Sequence, residues 1–272
     1  MPAINPARLK QQAALLANRF NEPSAYVRSL HHLLDSYADR VRRSGELGEP
    51  PSLLSAYQVR PQIMRHILQE LIPLVQVEPD CGLALCDALW EQPYFEFRLL
   101  AASLLGHLRG VLPESILHRV RAWITPDLEA RLSDAVLDKG LTVLRQDSPI
   151  IVFSLVGDWL DTGRLFEQKL GLHALLPFVK DPGFENLPVI FRLIQPMARV
   201  TPAALRPDLL DVLSELARRS PHETAFFLRQ TLSLPNSPDT PMLVRQSLRD
   251  FPPGIQYDLR SNVRDLETST RE

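Results

Sequence analysis

Cysteine is almost absent from this sequence: Cys81 and Cys86 are the two in a chain of 272 residues. Five positions apart on an expected helix, they face different sides, so the chain offers neither a disulfide framework nor a structural zinc site. They read as small core or surface residues in a reducing compartment. Long apolar runs are missing as well. No stretch reaches the roughly 18 apolar residues that a membrane span needs, and the opening MPAINPARLKQQ lacks the apolar segment of a secretory signal. A cytoplasmic protein without membrane association is expected. Nor is there an excess of positive charge: the formal charge is -2, which argues against coating nucleic acid by bulk charge while leaving room for a local basic stripe. Only four basic residues are lysine, Lys10, Lys139, Lys169 and Lys180, but a GC-rich coding bias gives the same excess of arginine. Glycine-rich phosphate loops, a Gly-x-Ser-x-Gly elbow and a His-Glu-x-x-His helix do not occur, which argues against nucleotide hydrolysis, serine hydrolase and zinc protease chemistry. His31 and Asp35 stand one helical turn apart, a spacing that suits a metal, but without a third ligand they read as a solvated helix face.

What the chain does have is helical periodicity. With 45% hydrophobic residues it can bury a large core unaided by disulfide or metal. Residues 5–20 carry Asn5 as a cap, Pro6 at the first helical position and Leu9, Ala13, Leu16 and Phe20 along one face. Further helices are predicted at about 23–43, 61–77, 79–90, 93–109, 113–123, 126–145, 149–159, 163–177, 183–198, 202–218, 221–232 and 238–250, from the helical period of about 3.6 residues. Most of the 24 prolines fall where a helix should start or stop. Pro73, Pro177, Pro188 and Pro196 are the exceptions, expected to kink or end their helices. Residues 44–59 form the one long connection, and the polar segment from 256 is expected to pack loosely and fray. The prediction is an all-α fold with a single domain over 1–255 and a tail over 256–272.

Short helices joined by proline-marked turns suggest a solenoid of hairpins, and weak self-similarity supports it. Trp90 is followed by Arg98 and LLAASLLGHL; Trp159 is followed by Lys169 and LGLHALLPFV; SPHETAFFLRQTL, with Arg229, forms a third copy. Each unit places a cation near the opening of a second helix. Glu96 suits such a helix start electrostatically, and Arg98, Lys169 and Arg229 would line up along one face of a stacked array.

AYQVRPQIMRHILQEL (56–71) and ALCDALWEQPYFEFRLLAASLLG (84–106) resemble the N-terminal half of the DNA alkylation repair, AlkD-like, HEAT-repeat family. The resemblance extends through DWLDTGRLFEQKLGLHALLPF and ETAFFLRQTL, covering roughly residues 50–235. It implies a right-handed superhelical solenoid of about six HEAT-like hairpins. Its cationic groove would hold duplex DNA, damaged or intact, and a carboxylate flanked by two tryptophans would assist loss of an alkylated purine. No metal or organic cofactor is implied.

The family's Trp-Trp-Asp-x-Val-Asp cluster falls on EARLSD (129–134), where Asp134 alone matches; Ala130 stands where the nearest tryptophan should be. By this correspondence Asp134 is the candidate catalytic carboxylate, and Phe226 takes the place of a later aromatic. Arg98, Lys169 and Arg229 are the candidate phosphate contacts. An alkylated purine is cationic and leaves through an oxocarbenium-like state, so a carboxylate helps electrostatically while aromatic faces hold the base. Without those faces, excision is expected to be weak or absent. The plainer readings make Asp134 a solvated partner of Asp138, the cations salt-bridge partners of Glu96, Glu167 or a neighbouring repeat, and Phe226 a core residue. A second function, a monomeric scaffold whose concave face binds a protein or peptide, agrees with the acidic balance.

Overall fold

The structure, a computed structural model, describes residues 6–38 and 54–269. The cap expected at Asn5, the helix end expected at 39–43, the connection over 44–53 and residues 270–272 lie outside the described residues. Among those described the chain is all-helical, with an isolated backbone bridge between Ser55 and Tyr94. They gather into two compact units, one up to Ile151 and one from Val152.

The first unit contains α1 (Pro6–Ala17), α2 (Pro23–Tyr37), α3 (Pro61–Val77), α4 (Pro79–Trp90), α5 (Phe95–Leu105), α6 (Pro113–Trp123), α7 (Ala130–Ala135), a π-helical turn (Val136–Gly140) and α8 (Thr142–Asp147); the division falls in α9 (Pro149–Asp161). Helices α2, α3, α4 and α6 begin on proline and have no side-chain cap. The fixed φ of proline, and the N–H it does not need to satisfy, start these helices where the sequence placed them. Most of these helices pack on the next but one, α1 on α3, α2 on α4, α3 on α5, and α5 on α7, whereas α6 and α8 lie against the π-helical turn. Ile63, Ile67, Leu71 and Val75 form the buried stripe of α3, whereas α5 is buried on nearly every side.

The single helix expected over 126–145 is broken instead into α7, the π turn and α8. The break faces the C-terminal end of α5, where Gly106, the residue after it, lets the opposing backbone come close. A Cβ on Gly106 would stand 1.7 Å from the Lys139 carbonyl oxygen. Thr142 Oγ1 donates to that oxygen at 2.8 Å, and Arg145 donates to the Leu137 carbonyl at 2.8 Å and to that of Asp138. Side chains thus satisfy carbonyls near the widened turn.

The second unit contains α10 (Leu165–Lys180), α11 (Leu187–Arg199), a 3-10 turn (Ala203–Leu205), α12 (Arg206–Arg219), α13 (Pro221–Ser233), α14 (Thr240–Ser247), a second 3-10 turn (Leu248–Asp250) and α15 (Pro253–Ser269). Here α10 packs on α12, α11 on α13, α12 on α14, and α13 on α15. Pro177 and Pro196 each lie within a helix, three residues before its end, and Pro73 similarly stands four residues before the end of α3. The segment from 256, expected to fray, is instead part of α15. Polar as it is, it carries Leu259 and Val263 four residues apart, both buried, and that narrow stripe is enough to seat the helix on α13 and α14.

Candidate nucleic-acid interface

The start of α5 carries two charges, Glu96 and Arg98, with different partners. Glu96 is 5% exposed: its carboxylate accepts the Tyr57 N–H at 3.1 Å and the Gln58 N–H at 2.7 Å. The carboxylate thus serves a segment distant in sequence rather than the start of its own helix. A buried carboxylate is tolerable because two backbone donors compensate it, and here they hold Gln58 in the left-handed region at φ 54°. The Phe95 N–H donates to the Ser55 carbonyl at 2.9 Å, so Glu96 and Phe95 together fasten the 55–58 segment to the start of α5.

Arg98 lies over the Trp90 ring, 5.4 Å from its centroid, and its Nε donates to the Gln92 carbonyl at 3.2 Å. Desolvation by burial draws its pKa below the usual arginine value. Trp90 in turn stacks on Trp123, centroids 4.4 Å apart and planes 7° from parallel. Trp123 is therefore committed to Trp90. No salt bridge joins Arg98 to Glu96: one holds the hairpin turn, the other the segment before α3.

Asp134 is exposed on α7, one turn after Arg131. The Arg131 guanidinium covers the Phe95 ring at 4.7 Å, so an aromatic face of the adjoining α5 carries the protein's own cation. Asp138, offered as the plain partner of Asp134, instead lies 3.9 Å from Arg145.

In the second unit Lys169 is exposed, with Nζ 3.6 Å from Asp208 Oδ1. The same oxygen lies 2.8 Å from His173 Nε2. Glu167 pairs with Arg164 at 2.6 Å, so the alternative partner suggested for Lys169 is engaged elsewhere. Arg229 stands nine residues into α13, further from the helix start than Arg98 is in α5. It is exposed, without a hydrogen bond or ion pair among the described residues, and lines a depression with His222, Tyr257 and Asp258.

Phe226 is 61% exposed, whereas its neighbour Phe227 is buried and stacks on Phe191 at 5.0 Å. The core reading therefore belongs to Phe227. The period of α13 carries the signal: Phe227 shares a face with Leu228 and Thr231, and Phe226 points away from it.

Among the described residues no group of three His, Cys, Asp or Glu side chains could hold a metal ion. His31 Nδ1 is hydrogen bonded to the Tyr57 hydroxyl at 2.6 Å, and Tyr57 stacks on Tyr94. The spacing of aromatics in sequence did not disclose this cluster, which forms between α2, the 55–58 segment and the start of α5. No described helix is long and apolar enough to cross a membrane.

No curated protein and no solved structure matches the chain. A family model described as DNA alkylation repair enzyme matches residues 54–249, from just before α3 to the end of the second unit's α14 region, and the chain belongs to that family.

Proposed function

We propose that this chain is a divergent DNA alkylation repair-like protein that binds duplex DNA through the phosphate backbone, in the concave groove of a right-handed array of about six HEAT-like hairpins. The family match over residues 54–249 carries the reading. Packing of most helices on the next but one, within each unit, agrees with stacked hairpins. Arg229 is an exposed cation suited to a phosphate, Lys169 can exchange Asp208 for one, and Arg98 is presented by its tryptophan.

Excision is expected to be weak or absent. Ala130 replaces the nearest tryptophan, Trp90 and Trp123 face each other, and Arg131 occupies the Phe95 ring. A cationic purine would therefore meet a resident cation where it needs an aromatic face. Water also reaches the exposed Asp134, which weakens its pull on developing positive charge.

Titration with plain and methylated duplexes across a series of salt concentrations tests this reading. Affinity should fall steeply with salt, with a logarithmic slope of about -0.9 per phosphate contacted, and should differ little between the two duplexes. The formal charge of -2 favours the other reading, a scaffold for a protein or peptide; no duplex binding at low salt would select it.

A further inference from the structure

Between α11 and α13 runs a groove of about 620 Å³, within the range of pockets that hold small organic ligands. Phe191 and Phe227, stacked on each other, line it together with Phe226. Gln195, Gln230, Arg192 and Glu223 also line it. We propose that this groove takes a single unpaired nucleobase of a bound DNA strand. The proposal rests on the DNA-binding reading above and goes beyond backbone contact.

Phe226 keeps most of its ring in water beside a groove whose other two phenyl rings are paired, so it has a π-face to offer and no partner ring to cover it. Every base presents a matching face, and stacking on an aromatic side chain is the common means of holding one. Gln195 and Gln230 each carry a donor and an acceptor, and turning the amide lets either face a base edge. Glu223, one turn before Phe226 on α13, can only accept when ionised, so it favours a base with an exocyclic amino group over thymine. Arg192 is exposed in the same groove, and Arg229 is exposed one turn beyond Phe226. Both are placed to take the phosphate of a nucleotide whose base lies on that ring. A base stacked inside a duplex cannot reach such a pocket, so the occupant is an extrahelical base at a bulge or mismatch.

The test compares the affinity of the full chain for a plain duplex with that for the same duplex carrying one bulged cytosine. Stacking of one base predicts a preference for the bulge between about fivefold and a hundredfold. The preference should shrink toward one in Phe226→Ala and in Phe226→Leu, which keeps an apolar side chain, and persist in Phe226→Tyr. A bulged thymine should bind less tightly than cytosine, and Glu223→Gln should narrow that gap. Equal binding of plain and bulged duplexes, or a preference that survives Phe226→Leu, overturns the pocket and leaves backbone binding standing. Failure to bind either duplex overturns both readings.

Discussion

Gly106 and Lys139 meet backbone to backbone: the position a Cβ would occupy on Gly106 is 1.7 Å from the Lys139 carbonyl oxygen and 2.8 Å from its carbon. No rotamer change relieves such a clash, because the obstacle is main chain. Gly106→Ala should therefore force α5 and the π turn apart and lower stability by at least about 2 kcal/mol, as overpacking of a close contact does. The control is Gly254, whose Cβ would meet nothing within 4 Å and whose φ is not positive. Urea denaturation of Gly106→Ala beside the parent protein checks the expectation, and an unchanged midpoint would refute the close approach.

Tyr57 makes alkaline pH a probe of the aromatic cluster. Burial first, and then the neighbouring Tyr94, push its pKa up to about 12, against roughly 10 in an unfolded chain. The folded state therefore holds this proton over a range in which the unfolded state has lost it. Its contribution to stability is present below roughly pH 10 and is lost as pH rises toward 12. In Tyr57→Phe the fall of stability across that window should be shallower. The remaining slope belongs to groups such as Tyr26, which burial also raises.

The candidate phosphate contacts should not contribute equally. Arg229→Ala should reduce the salt slope of duplex binding by about one phosphate equivalent. Lys169→Ala should reduce it less, because Asp208 already holds that ammonium at 3.6 Å. A triple replacement of Arg98, Lys169 and Arg229 that leaves the slope unchanged would dismiss all three.

Release of 7-methylguanine from duplex DNA should be slow, and Asp134→Asn should abolish what little there is. Arg131→Ala should uncover the Phe95 ring and raise affinity for the methylated duplex relative to the plain one. Free base followed over time gives the first result, and binding gives the second. Rapid release that persists in Asp134→Asn would assign the chemistry to another residue.

Helix positions were legible because their signals are local. Pro61, Pro79 and Pro113 mark starts within one residue, and the stripe of α3 repeats with the helical period. The family was legible for a related reason: the hairpin at 84–106 combines a helix end, a turn and a small-residue face in a fixed order. Less visible was the role of Glu96, since nothing near it in sequence shows that Tyr57 and Gln58, some 38 residues away, would present two N–H groups to it.

By itself, then, the sequence determined an all-α chain of short proline-started helices and its membership of a repair family, because propensity, capping and periodicity act over a few residues. Only the tertiary structure decided which charges face solvent and which aromatic faces remain open. It buried Glu96, seated Arg98 on Trp90 and Arg131 on Phe95, and turned Phe226 outward while Phe227 went into the core. Those outcomes depend on which helix packs against which, and a buried charge or covered ring is stable only when a partner distant in sequence arrives to compensate it.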